Sequence, residues 1–173
     1  MIEAVKEKIR SVPNFPKEGI LFRDITTAIK DKDTLRMIVD FLTESLKGEK
    51  VDYVVGIESR GFIFGSALAY SLGAGLVLIR KPGKLPAKTI SQSYDLEYGS
   101  DEIQMHEDSI EPGAKVVVVD DLLATGGTIG AAIKLLQKAK ADIRKACFVI
   151  ELEDLNGRAK LPSNIEIVSM IKY

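Results

Sequence analysis

The apolar residues of this chain are laid out in two rhythms. Five stretches are short, continuous and rich in β-branched side chains: Val51 to Ile57, Leu76 to Arg80, Lys115 to Asp120, about Arg144 to Glu151, and residues 165–171. Unbroken apolar runs suit strands covered on both faces, since alternation is needed only where one face meets water. Between them, apolar residues recur at spacings of three and four, the repeat of one helix face. That spacing predicts helices over residues 2–11, 33–47, about 60–72, and from the turn at Gly126 and Gly127 to about Lys140. In the second helix Leu35, Ile38, Val39 and Leu42 face inward, with Asp31 or Asp33 as the cap; in the last, Ile129, Ile133, Leu136 and Ala139 share a face. A short helix is expected near 154–160. Residues 12–27, broken by Pro13, Pro16 and Gly19, read as irregular, and 81–91 as an exposed loop. Alternation around Ser93–Tyr98 and Glu102–His106 predicts a hairpin turning at Gly99.

Strands alternating with helices predict an α/β domain with a mainly parallel central sheet flanked by helices, and an inserted β-hairpin as a lid. The uncharged stretch from Gly61 to Ile79 is long enough to span a bilayer, but Gly73 and Gly75 divide it into a buried helix and a buried strand. In open parallel sheets ligands sit beyond the C-terminal strand ends, near a reversal of strand order. Two loops are candidates: Glu58–Gly61 and Asp120–Thr128.

The second loop carries the most chemistry. Val116 to Val119 are followed by Asp120 and Asp121, then the small-residue turn Ala124, Thr125, Gly126, Gly127 and Thr128, then a helix. Glycines let backbone N–H groups converge on an anion, and a helix N-terminus adds partial positive charge. Hydroxyls of Thr125 and Thr128 add donors. Carboxylates only accept hydrogen bonds, so Asp120 and Asp121 suit the two hydroxyls of a sugar diol. Together the parts describe a pocket for a ribose 5-phosphate. Neither a Walker A loop nor a dinucleotide fingerprint is present.

In the first loop, Ser59 and Arg60 beside Gly61 at a helix start make a second anion site, though an ordinary capped helix with a surface arginine is an equal reading. The next strand ends in Arg80, Lys81 and Lys84, a cluster of cations that shifts the balance toward pyrophosphate. Near the N-terminus, Phe22 could stack on a flat base, and backbone around Leu21 and Arg23 could read a base edge; a core aromatic is the simpler reading of Phe22.

Composition narrows the classes. A chain of 173 residues suits a single domain, and a net charge of −1 argues against a general nucleic-acid or membrane-surface binder. Cys147 is the only cysteine, so no internal disulfide is possible; its apolar surroundings make it a core residue. With His106 the only histidine, a histidine-based metal cluster or Ser-His-Asp triad is not expected. Residues 1–10 mix charges and lack the apolar centre of a secretory signal, so a cytoplasmic location is expected.

The stretch from Val116 to Thr128 resembles the phosphoribosyl-pyrophosphate signature of type I phosphoribosyltransferases. Phe22-Arg23-Asp24-Ile25, Glu58-Ser59-Arg60-Gly61-Phe62, Ile79-Arg80-Lys81-Pro82-Gly83-Lys84 and Tyr94-Asp95-Leu96-Glu97-Tyr98-Gly99 are similar to the adenine phosphoribosyltransferase family, in the family's order. The resemblance implies the type I fold in one domain, 1–173. Residues 1–30 would be a small N-terminal hood that binds the base, and 81–106 a mobile loop and hairpin. It implies transfer of a 5-phosphoribosyl group from phosphoribosyl pyrophosphate to N9 of adenine, giving AMP and pyrophosphate, with Mg²⁺ carried largely by the substrate. Asp120 and Asp121 would hold the ribose hydroxyls and Ala124 to Thr128 the 5-phosphate. Ser59, Arg60, Arg80, Lys81 and Lys84 would meet the pyrophosphate, with Tyr98 closing over the donor. Phe22 and Leu122 would sandwich adenine, backbone at Leu21 and Arg23 would read its edge, and Glu97 would be the general acid/base. The arginine matching Arg80 can reach a partner's site in this family, so a homodimer is implied.

Two alternatives stand beside this reading. One is a phosphoribosyltransferase for another base. The other is a non-catalytic regulator that senses phosphoribosyl pyrophosphate; it would need a DNA-binding segment, for which there is no room before residue 15 and no basic excess.

Overall fold

The computed structural model describes residues 1–173. The chain opens with a short helix, α1 (Ile2–Lys8), an antiparallel pair, β1 (Arg10–Pro13) and β2 (Leu21–Asp24), and a short helix, α2 (Thr26–Lys30). Then follow α3 (Lys32–Glu44), β3 (Tyr53–Ile57), α4 (Gly61–Leu72) and β4 (Gly75–Ile79). A hairpin, β5 (Thr89–Asp95) and β6 (Ser100–His106), intervenes before β7 (Lys115–Leu123), α5 (Gly127–Lys138) and β8 (Asp142–Glu151). Two 3₁₀ turns, Glu153–Leu155 and Arg158–Lys160, precede β9 (Glu166–Lys172).

The central sheet has the order β4-β3-β7-β8-β9, and every pairing is parallel. The valines of β7 explain why its apolar run is unbroken. Val116 and Val118 join a core with Val55, Ile57 and Phe148 beneath Ile129, Ile133 and Leu136 of α5. Val117 and Val119 face the opposite core, with Val54, Phe64 and Leu68 of α4, and Ile38 and Leu42 of α3. The hairpin is a separate two-stranded sheet whose Ile103 and Met105 are buried in the first core. The N-terminal segment joins the second core through Val5, Ile9, Ile25 and Ala28.

The expected α/β architecture is the observed one, and local departures have physical causes. The first helix stops at Lys8, and residues 12–27 are not simply irregular. Arg10 to Pro13 pair with Leu21 to Asp24 across a loop containing Gly19 at φ 85°. Strands of four residues, none of them buried, are too short to show alternation. Asp31 rather than Asp33 caps α3, accepting from the Asp33 and Thr34 N–H groups at 3.1 and 3.0 Å. Thr34, not Val39, is turned fully inward; its hydroxyl donates to the Ala28 carbonyl at 2.5 Å, which satisfies the buried oxygen. The region 154–160 forms two 3₁₀ turns rather than one helix. α4 ends at Gly73, whose φ of 64° is open to glycine. No helix is long and apolar enough to cross a membrane. Cys147 is a core residue, as expected, and burial pushes its thiol up to about 12.

Two carboxylates tie the N-terminal segment to this frame. Asp24 accepts from the Thr26 hydroxyl and backbone, at 2.6 and 2.9 Å, and pairs with Arg10. Asp31 joins its α3 cap to an ion pair with Lys8 at 3.0 Å. The Thr26 hydroxyl and then Arg10 hold the Asp24 carboxyl at about 2; the Thr34 N–H and then Lys8 hold Asp31 at about 2. Because both are depressed in the folded chain, their stabilisation is complete above the ordinary carboxylate range, near pH 4, and is lost as pH falls toward 2. Melting temperature followed against pH should fall through that window, and an Asp24→Asn, Asp31→Asn double variant should show a flatter fall. An unchanged acid slope would contradict this account.

Candidate active site

The chain runs from β3 outward to β4 and then returns to the other side of β3 as β7. That reversal is the switch in strand order. It sets the loops after β3 and β7 side by side, with Gly56 level with Val119 in the ladder. One cavity of about 460 Å³ opens there, lined by Ser59, Arg60, Lys81, Asp120, Asp121, Leu122 and the turn from Ala124 to Thr128. Glu58, Leu123 and Ile129 complete the lining.

The cradle is built from backbone. Gly126 begins α5 with φ 85°, a left-handed conformation that glycine adopts without a Cβ clash. Gly157, in the turn after β8, packs directly against it. A Cβ on Gly157 would stand 2.2 Å from the Ala124 carbonyl oxygen and 2.9 Å from the Gly126 nitrogen. Gly157 therefore supports the cradle from behind, although it is distant in the chain. The only signal in the sequence was the Asn156-Gly157 pair, which marks a turn and not its neighbour.

The two acids lie within a paired strand. β7 runs past Asp120 to Leu123 because β8 continues beside it, through Asp120 with Phe148 and Leu122 with Ile150. Asp121 is buried and accepts from Arg60 Nε at 2.5 Å, which joins the two loops. A buried carboxylate without such a partner would be costly. Burial opposes the charge of Arg60, but Asp121, with Asp120 behind it, prevails and raises its pKa. Asp120 turns an oxygen back to the Asp121 N–H at 2.9 Å. Desolvation, with adjacent Asp121 second, raises the Asp120 carboxyl well above the usual range. The close fit of the loops also explains Gly61: a Cβ there would lie 2.7 Å from the Val119 carbonyl oxygen.

Arg80 and Lys81 are each held by an acid. Glu58 Oε2 accepts from Arg80 Nε at 3.1 Å and from the Lys81 N–H at 2.9 Å. Burial opposes its charge, but the Lys81 N–H and Arg80 outweigh it and keep its pKa low; Lys84 is close enough to add to the effect. Lys81 forms an ion pair with Asp101 of the hairpin. Arg80 and Lys84 thus stand beside the cavity rather than in its wall.

Of the residues expected to meet the base, Leu122 lines this cavity, whereas Leu21, Phe22, Arg23 and the hairpin tip do not. Phe22 is half-buried, its ring edge-on to Phe15 at 5.2 Å. Leu21 is exposed. The Arg23 side chain turns away, donating to the Ser11 hydroxyl at 2.6 Å and lying 3.7 Å over the Tyr173 ring. Glu97 and Tyr98 occupy the exposed turn between β5 and β6. The Lys17 ammonium lies 5.7 Å from the centre of the Tyr98 ring, so the tip leans toward the N-terminal segment. His106 accepts from the Ala87 N–H at 3.2 Å and steadies the loop before the hairpin.

A glycine turn at a helix start, a pair of acids and a group of cations thus meet at the switch point of the sheet, an arrangement suited to an anionic ligand that also carries hydroxyls. The sequence pattern of the phosphoribosyl transferase domain matches residues 26–172, which defines the class. The adenine phosphoribosyltransferase of Trichodesmium erythraeum is 56% identical over 169 residues, covering 98% of this chain and 99% of the relative. The crystal structure of adenine phosphoribosyltransferase from Thermoanaerobacter pseudethanolicus superposes with a TM-score of 0.96 at 47% identity, covering 100% of both chains. The Saccharomyces cerevisiae enzyme, complexed with an imino-altritol bisphosphate and adenine, superposes with a TM-score of 0.92 at 38% identity, covering 98% of each chain. The chain belongs to the adenine phosphoribosyltransferase family.

Replacing Gly157 by alanine should push the Ala124–Gly126 turn out of position. A loss of about 1–3 kcal/mol of stability is expected, typical of an overpacked contact, together with weaker phosphate-dependent donor binding. Calorimetry with phosphoribosyl pyrophosphate, set beside a thermal melt, checks both; unchanged donor affinity would remove Gly157 from the cradle.

Proposed function

We propose that this chain transfers the 5-phosphoribosyl group of phosphoribosyl pyrophosphate to N9 of adenine, releasing AMP and pyrophosphate. The observation that carries the reading is the shared cavity in which Asp120, Asp121 and the Ala124–Thr128 turn of one loop face Ser59 and Arg60 of the next. Backbone N–H groups of residues 124–128 and the threonine hydroxyls receive the 5-phosphate. Asp120 and Asp121 accept hydrogen bonds from the ribose hydroxyls. Ser59, Arg60 and Lys81, with Arg80 and Lys84 at the rim and Tyr98 above, receive the pyrophosphate.

Reaction breaks the bond between the anomeric carbon and a pyrophosphate oxygen and forms one from that carbon to adenine N9. Positive charge spreads over the anomeric carbon and ring oxygen at the transition state, as in glycosidases. The cation rim stabilises the charge that builds on the leaving pyrophosphate. Phe22 and Leu122 hold adenine between them, and Leu21 and Arg23 read its edge through the backbone. Glu97 accepts the proton that adenine gives up, near N7. The hairpin tip must close to exclude water, which would otherwise hydrolyse the donor.

In this reading Mg²⁺ is carried mainly by the donor, whose phosphate oxygens supply most of its ligands, and Asp120 and Asp121 are left to the ribose hydroxyls. When bound, the ion neutralises part of the charge on the pyrophosphate. A homodimer belongs to the same reading. α4 carries no charge and leaves Ile63 and Tyr70 exposed, with Leu76 of the edge strand β4 also exposed, and apolar faces of this kind are commonly covered in assemblies. A cytoplasmic setting suits a chain whose single cysteine is buried and unpaired.

AMP formation should appear with adenine, phosphoribosyl pyrophosphate and Mg²⁺, and not with hypoxanthine, guanine, xanthine or orotate. Product from another base would overturn the assignment of Phe22 and Leu122. Glu97→Ala should lower turnover on the order of 10²-fold or more, with donor affinity little changed; normal turnover would remove Glu97 from proton transfer. Asp120→Asn with Asp121→Asn should damage donor use broadly, and kinetics unchanged in the donor would refute the diol assignment.

A further inference from the structure

The hairpin is attached to the sheet at its root. Arg80 and Gln104 exchange backbone hydrogen bonds of 2.9 and 2.8 Å, and the neighbouring Ile103 and Met105 are buried. Toward the tip, Tyr94 and Asp101 stand directly opposite each other, one pair before the end of the ladder. Both reach residues that line the cavity. The Lys81 ammonium donates to Asp101 Oδ2 and, at 3.3 Å, to the Tyr94 hydroxyl. The Tyr94 hydroxyl donates to Asp101 at 3.0 Å, and the Thr128 hydroxyl donates to Tyr94 at 3.4 Å. A single cross-strand pair therefore touches both the cation loop and the phosphate cradle.

The pairing of the cations is unequal. Arg60 and Arg80 pair with Asp121, in β7, and Glu58, in the loop after β3. Lys81 pairs with an acid on the hairpin. An ammonium has three N–H donors; the hairpin takes two, which leaves one for a phosphate oxygen. Both partners are partly exposed, and a pair in contact with water is weak. A pyrophosphate lying on Lys81 would displace that water and strengthen the attraction.

We propose that Asp101, backed by Tyr94, is a positioning residue that makes Lys81 a bridge between the hairpin and the donor's pyrophosphate. Bound donor then pins the tip that carries Glu97 and Tyr98. This rests on the donor reading above, and goes beyond it by assigning the element that couples donor binding to the closing hairpin.

Hydrogen exchange of the 94–101 amides, with and without phosphoribosyl pyrophosphate and Mg²⁺, tests the bridge independently of the base. Donor should slow exchange at the tip of the unaltered chain, and Asp101→Asn should abolish most of that protection. In the adenine assay Asp101→Asn should lower kcat about tenfold, as expected for losing a charged hydrogen-bond partner, and Asp101→Glu should recover part of it. On a Lys81→Met background, Asp101→Asn should cost less than about a further twofold, because the bridge is already gone. Tyr94→Phe, which keeps the packed ring, should give an intermediate loss. Full donor protection in Asp101→Asn, additive losses with Lys81→Met, or a lowered melting temperature with unchanged kinetics would each overturn the proposal. Failure of the unaltered chain to make AMP would instead overturn the adenine reaction, while donor protection would still decide the bridge.

Discussion

β3 and β7 lie side by side although α4, β4 and the hairpin separate them in the chain. The parallel pairing of these two strands carries the consequences for the site. It requires the chain to reverse direction across the sheet, so the loops after the two strands meet with no other strand between them. The valines of β7 secure the pairing by burying side chains in both cores. Gly61 allows the two loops to approach to backbone contact, and Arg60 with Asp121 closes the junction. Apolar burial positions the strands, and a charge pair at their ends aligns the loops.

The electrostatics of the cavity follow from that junction. The whole chain is almost neutral, at −1, and the cavity itself mixes cations with carboxylates. A cluster of like charges would repel itself and blur its geometry. Here Arg60, Arg80 and Lys81 are each held by an acid, which defines their positions and keeps burial tolerable. A multiply charged donor meets groups already oriented, and transfer chemistry depends on that preorganisation. Asp121 belongs to β7 and Glu58 to the loop after β3, and the third acid, Asp101, belongs to the hairpin. The same arrangement thus contains a fixed part and a part that can respond.

Segments whose geometry depends on their own neighbours were legible in the sequence. The run from Val116 to Thr128 contains a strand, two acids, a glycine turn and a helix start in order, and the structure has β7, the turn and α5 in that order beside the cavity. The hairpin turning at Gly99 and the division of the 61–79 stretch were readable for the same reason. The base side was less so: Phe22 and Glu97 carry no local pattern that distinguishes them from a core aromatic and a solvated acid, and their roles came from resemblance. The pairing of β1 with β2 is not legible, because four-residue strands with no buried residue have no periodicity.

The sequence by itself determined the alternation of strand and helix, the two buried faces of β7, and the order of paired acids, glycine turn and helix start that follows it. Each of these depends on side-chain periodicity or on backbone freedom within a dozen residues. Tertiary structure alone decided that β3 neighbours β7, that Gly157 supports Gly126, that Arg60 meets Asp121 and that Lys81 is tied to the hairpin through Asp101. Those contacts join residues from 20 to 61 positions apart in the side-chain pairs, and their partners are chosen by the packing of the whole sheet rather than by local preference.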